Sequence, residues 1–172
     1  MANERILTTH AGSLPRPEAL SALLVETFKG RDTDDATLND RVQAAVEDAV
    51  ARQLAIGIDV VGDGEQGRES FFTYVARRMS GFAGRSRRRP MADMHHYPGY
   101  RARMVAKSHH GASVNLMSAP RIVAPVRYLD RRAIDAECVR FSKLLAAHGR
   151  PPSEAFMTVA SPGIVAAAMD ND

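Results

Sequence analysis

Apolar residues in this chain follow two patterns: short aliphatic runs, and longer stretches where they return every three or four positions. The first pattern predicts buried strands, the second helices that pack by one face. Residues 5–9 read as a short strand. Pro17 then stands at a first helical position, and Leu20, Leu23, Leu24 and Phe28 keep helical spacing until Gly30. After a polar connection, Thr37 with Asp40 resembles a capping box, and Leu38, Val42, Val46, Ala49, Val50 and Leu54 form one apolar stripe. That helix ends near Gly57, and the β-branched run Ile58 to Val61 follows as a buried strand. A third helix is predicted from about Glu69, burying Phe72, Val75 and Met79 and stopping at Gly81.

Periodicity then fades. Residues 83–118 carry an arginine run, two histidine pairs and a Pro98-Gly99 turn, and they read as an irregular insertion, hairpin-like or disordered. Arg121 to Tyr128 alternates apolar residues with Pro120 and Pro125 nearby, which suits an edge or hairpin strand. A helix from about Arg131 to His148 presents Ile134, Cys138, Phe141, Leu144 and Leu145 on one face, with Cys138 buried among them. Ala155 to Val159 is a further buried strand, leading into Ala160-Ser161-Pro162-Gly163. The repeated order of strand, polar loop, helix and strand predicts an α/β fold of parallel βα units within one domain, 1–172.

Composition narrows the class. A chain of 172 residues, 45% hydrophobic and 25% charged, can bury roughly 70% of its unfolded surface. No apolar run approaches the ~20 residues that span a bilayer, and a single cysteine argues against a disulfide framework and fits a reducing cytoplasm. Net charge is only +3. The excess sits in Arg85, Arg87, Arg88, Arg89, Arg101, Arg103 and Lys107, where glycine, proline and paired histidines break up any recognition element. The pattern argues against nucleic acid as a partner and for a solvated insertion.

Candidate chemistry lies at the strand ends. In parallel α/β folds ligands bind where loops leave the carboxyl ends of strands. Thr8-Thr9-His10-Ala11-Gly12-Ser13-Leu14-Pro15-Arg16 is one such loop, and Asp63-Gly64-Glu65-Gln66-Gly67-Arg68 is a second. Glu65 can accept from a substrate ammonium, and Arg68 can take a carboxylate or sulfonate in two parallel bonds; equally, the two can pair with each other. Ser13 with Gly12 can receive an anion or simply cap the next helix. His10 is either an acid–base group or a hydrogen-bonded loop residue. His95-His96 and His109-His110 lack the spacing of a zinc site.

Together the stretches T-T-H-A-G-S-L-P-R-P, G-I-D-V-V-G-D-G-E-Q-G-R-E-S-F-F-T-Y-V and A-S-P-G resemble the cobalamin-independent methionine synthase catalytic-domain family. The pattern is closest to its short single-barrel members, which include epoxyalkane:coenzyme M transferase-like proteins. The resemblance implies a (βα)8 barrel that transfers a methyl or alkyl group to a thiol, with methyltetrahydrofolate as donor and homocysteine as acceptor in the methionine synthases. It also implies a zinc ion that holds the thiol as thiolate. By the same resemblance Ser13 and Glu65 match positions that hold the amino-acid part of homocysteine. Arg16, Asp63, Arg68 and Ser161 match neighbouring substrate-site positions, and His10 is the catalytic candidate. Asp63 stands where the methionine synthases carry histidine.

The family's zinc ligands, a His-x-Cys pair, a glutamate and a further cysteine, have no counterpart in this sequence. The chain therefore resembles the amino-terminal half of such a barrel: the first three or so βα units with a hairpin-like insertion over 83–118. Half a barrel leaves strand edges bare, so a second chain or self-association is expected to complete it, with little turnover from this chain alone. The alternative is a non-catalytic module that keeps a small-molecule pocket or depends on a partner. A basic RNA-associated fragment is the third reading, resting only on the arginine run.

Overall fold

Three short parallel strand segments lie side by side in chain order at the centre of the fold. This computed structural model describes residues 5–31, 33–86, 92–109 and 119–171. Thr9 bridges Val60 in parallel, and β1 (Val61–Gly62) pairs in parallel with β4 (Ala155–Phe156), Val61 opposite Ala155. Between the first and second segments run α1 (Glu18–Phe28) and α2 (Asp35–Ala55). Between the second and third come β2 (Met79–Ala83), α3 (Ala92–His96), α4 (Pro98–His109), β3 (Arg121–Tyr128) and α5 (Arg132–Ala147). After β4 comes α6 (Pro162–Ala168). Among the described residues no helix is long and apolar enough to cross a membrane.

The parallel strands are shorter than their apolar runs predict because side chains take over ladder bonds. Asp59 accepts from Thr8 N at 2.8 Å and Thr8 Oγ1 at 2.9 Å. Gln53 of α2, buried, donates from Nε2 to Gly62 O at 2.8 Å and accepts from Gly62 N at 3.0 Å. One amide side chain thus does for Gly62 what a neighbouring strand would, and it fixes α2 against β1. Gln53→Leu leaves both Gly62 backbone groups buried without partners. It is expected to lower unfolding stability by about 3 kcal/mol, read as a lower urea midpoint.

Apolar stripes pack as their spacing predicts. Val50 of α2, Val61 of β1 and Phe141 and Leu145 of α5 form one cluster over the sheet. Leu20 and Leu24 of α1 meet Ala45 of α2 in a second. Two details differ. The cap of α2 is Asp34, whose carboxylate accepts from Ala36 N at 3.3 Å and Thr37 N at 3.1 Å, so the helix starts one turn before the expected Thr37 box. Cys138, expected buried, is exposed on α5. The helix turns that stripe edge to solvent while Phe141 and Leu145 face the core.

The helix predicted from Glu69 to Gly81 is replaced by a turn and a short 3-10 helix, Thr73–Arg77. Glu69 accepts from Arg77 Nη2 at 2.9 Å, and the chain then extends, placing Met79 in a strand. Strands β2 and β3 form an antiparallel hairpin pair, the edge arrangement that the prolines predict. Its ladder skips at Gly81 (φ +92), where an added Cβ would lie 2.6 Å from Ala124 O. Residues 83–118, expected irregular, carry α3 and α4 over much of their described part. Phe72, Tyr74 and Val75 pack with Ala119, Ala168 and Met169 in the third cluster, which ties the 3-10 segment to α6.

Candidate substrate-binding site

Both polar loops leave the same end of the parallel strands and interlock. In the second, Gly64 (φ +61) and Glu65 (φ +56) are consecutive left-handed residues, and Glu65 is the one non-glycine at positive φ among the described residues. Such a backbone costs on the order of 1 kcal/mol and persists only when its surroundings over-determine it. They do. Glu65 N donates to Asp63 Oδ1 at 3.0 Å, and Leu14 N to Gly64 O at 3.0 Å. Gln66 Nε2 donates to Leu14 O at 3.1 Å, while Arg16 donates to Glu65 O at 2.8 Å and Gln66 O at 3.3 Å.

The result aims the Glu65 carboxylate at the first loop. Ser13 Oγ donates to Glu65 Oε2, and Thr158 Oγ1 donates to Oε1 at 2.6 Å. Three strand ends therefore converge on one carboxylate, 2% exposed as a residue. Beside it opens a cleft of about 660 Å³ lined by Ala11, Gly12, Ser13, Glu65, Phe71, Thr158 and Val159. The cap alternative for Ser13 does not hold, since Pro17 precedes α1 and the Ser13 hydroxyl goes to Glu65.

The other candidates stand around this centre and not on the cleft wall. Arg68 donates from Nη1 to Thr158 O and from Nη2 to Asp63 Oδ2 at 3.4 Å; it does not pair with the Glu65 carboxylate. Burial pushes the Asp63 carboxyl up, against the opposing pull of the Arg68 guanidinium. Burial likewise lowers the Arg16 guanidinium from its usual range. Ser161 caps α6, accepting from Ile164 N at 3.2 Å. His10 is half-buried, with Nε2 enclosed and without a hydrogen-bond partner. Asp63 and Arg68 instead line a separate cavity of about 570 Å³ between α2 and α5.

Thr158 and Phe71 escaped the sequence reading. Thr158 had a signal, since it lies near the end of the fourth predicted strand, just before the third polar loop, as Ser13 and Glu65 follow theirs. Phe71 had none, because its apolar neighbours read as one helix face.

His95 and His96 lie on exposed α3, and His110 and Arg87, Arg88 and Arg89 lie outside the described residues. The zinc ion that the family resemblance implies does not fit the donors present. Among the described residues no three His, Cys, Asp or Glu side chains converge on a point that could hold a metal ion.

The family model for the cobalamin-independent synthase catalytic domain matches residues 6–102, more than half of the chain. The chain belongs to that family. Within it, a 5-methyltetrahydropteroyltriglutamate–homocysteine methyltransferase of Aeromonas salmonicida is 38% identical over 76 residues, 44% of this chain and 10% of that protein. The enzyme of the same name from Shewanella oneidensis is 34% identical over 74 residues, 43% of this chain and 10% of its own length. These matches span about a tenth of the curated relatives. A B12-independent methionine synthase from Shewanella sp. W3-18-1, solved in complex with selenomethionine, superposes with a TM-score of 0.57 at 20% identity. It covers 96% of this chain and 40% of its own, so this member of the family shares an α/β fold with a methionine synthase along nearly its whole length.

Proposed function

We propose that this chain is the substrate-gripping part of a methionine-synthase-like S-methyl- or alkyltransferase, built on the first three βα units of a (βα)8 barrel. The observation that carries this reading is the meeting of Ser13, Glu65 and Thr158, from three successive strand ends, at one cleft. A buried carboxylate flanked by two hydroxyls, in a cleft whose other walls are small or apolar residues, suits an amino acid. Its ammonium sits on Glu65, and its sulfur-bearing arm lies against Phe71 and Val159. Selenomethionine in the Shewanella structure is a ligand of that chemistry. Each Glu65 oxygen receives one hydroxyl and keeps a second lone pair for the ligand.

Ser13 and Glu65 touch the substrate in this reading. Arg16, Asp63 and Arg68 hold the loop that presents Glu65, Ser161 fixes the start of α6, and His10 is the acid–base candidate beside the cleft. The strand ends carry bare apolar residues, Ile6 at 94% and Val159 at 60% exposure, which suits cover by further polypeptide completing the barrel. With no zinc donors converging among the described residues, a second reading is a binding module that grips the amino acid without turnover.

Calorimetric titration with L-methionine, L-homocysteine and coenzyme M tests the first point. Micromolar to millimolar binding of the two amino acids supports it, and absence of binding by both overturns it. Assay of thiol methylation with methyltetrahydrofolate, zinc and an added family polypeptide that carries the His-x-Cys half of the barrel then separates the readings. Turnover selects the transferase; binding without turnover selects the module.

A further inference from the structure

Tyr74 lies on the 3-10 segment, outside the cleft, and is 6% exposed. Two guanidinium groups rest over its ring, Arg68 with Cζ 5.3 Å from the centroid and Arg78 at 5.2 Å. Each cation also pairs with a carboxylate, Arg68 with Asp63 and Arg78 with Glu137 of α5. We propose that Tyr74 is a positioning residue for the substrate site. Its ring face fixes the Arg68 guanidinium, which through Thr158 sets the Glu65 carboxylate.

The chain of contacts is short. Arg68 Nη1 donates to Thr158 O, and Thr158 Oγ1 donates to Glu65 Oε1. The Arg68 guanidinium is almost wholly enclosed, yet its pairing with Asp63 is long at 3.4 Å and its Nε has no hydrogen-bond partner. Hydrogen bonds alone therefore leave the planar group free to tilt about its bond to Thr158 O. An aromatic face attracts a cation and restricts its plane, most strongly where water is excluded. Arg78, against the same ring, links it to α5, so the hairpin side of the fold and the cleft are joined through one aromatic residue. The inference rests on the reading of Glu65 as the ammonium acceptor.

The test is Tyr74→Leu beside Tyr74→Phe and a ring-fluorinated phenylalanine at 74. The readouts are methionine affinity and the NMR signals of the Arg68 side chain. In the parent protein and Tyr74→Phe the Arg68 signals carry a ring-current shift, and the two methionine Kd values agree within about twofold. Tyr74→Leu is expected to lose the shift and weaken Kd about tenfold. Combined with Arg68→Lys it adds nothing further, whereas a merely structural role gives multiplying losses. The fluorinated ring keeps shape while weakening the face potential, so a weakened Kd there supports the inference even if Tyr74→Leu fails to fold. An Arg68 signal without ring shift in the parent protein overturns it, as does unchanged affinity in the fluorinated and leucine variants. Should the parent protein bind no amino acid, the reading of Glu65 fails, and the ring-shift comparison still decides whether Tyr74 fixes Arg68.

Discussion

Glu65→Gln is expected to weaken L-methionine binding about 100-fold while leaving the fold standing. A hydrogen bond from an ammonium to a carboxylate contributes about 1.5–3 kcal/mol, and about 1.4 kcal/mol is a tenfold change in Kd. Glutamine keeps the volume of the side chain and one carbonyl oxygen. Its amide group faces a hydroxyl, Ser13 or Thr158, that can rotate to accept where it donated before. The left-handed backbone at 65 is no worse for glutamine than for glutamate. Stability should therefore move by less than about 1 kcal/mol, checked by urea unfolding. Coenzyme M, a thiol with a sulfonate and no ammonium, supplies the control. Its affinity should hold or improve when the negative charge goes. Equal losses for both ligands would place the amino group elsewhere and remove the basis of the proposed function.

How far the sequence discloses this site depends on which residue is asked. Glycine and a carboxylate after an aliphatic run predict a turn at the end of a strand, and the chain turns at Gly64 and Glu65 directly after β1. Ser13 is legible on the same ground, though its local alternatives, cap or ligand group, are equivalent in sequence. A bond to Glu65 across 52 positions sets the cap aside. Arg68 is the opposite case. Its spacing from Glu65 suggests a partner or a substrate clamp, but the left-handed turn at 64 and 65 rotates the chain so that its guanidinium reaches Thr158 and Asp63. Periodicity carries no information about such a turn.

The fold divides in the same way. Helices α1, α2 and α5 follow their apolar stripes because each packs one face against a sheet or a sister helix. The stretch after Glu69 has an equally good stripe in Phe72, Val75 and Met79, yet it extends at Met79. Strand pairing with 121–128, far along the chain, outweighs local helical preference there. The short parallel strands are illegible for a related reason, since Asp59 and Gln53 replace ladder bonds with side-chain bonds that no pattern of hydrophobicity records.

Arg68→Leu is the substitution expected to cost the fold most. It leaves the buried Asp63 carboxyl without its cation and Thr158 O without its donor. Breaking one side of a buried pair in this way costs about 3–5 kcal/mol. The loss should also depend on pH. Burial holds the Asp63 carboxyl above its usual value in the folded chain, and the Arg68 guanidinium limits that rise. A carboxyl raised in the folded state binds more protons there than in the unfolded chain. Its penalty is therefore absent at low pH and grows as pH climbs from the ordinary aspartate range through the folded value. Without Arg68 the rise is larger and the window wider, so the destabilisation should be smaller near about pH 4 than near about pH 7. Asp59 acts in the opposite sense, held well below the usual range by Arg5 and Thr8, but it is common to both proteins and drops out of the difference. Adding Asp63→Asn to Arg68→Leu should restore most of the lost stability at neutral pH, because a neutral amide needs no counter-ion. Urea midpoints at the two pH values check this, and a deficit that is flat with pH and untouched by Asp63→Asn would show that Arg68 acts through Thr158 and the Tyr74 ring and not through Asp63.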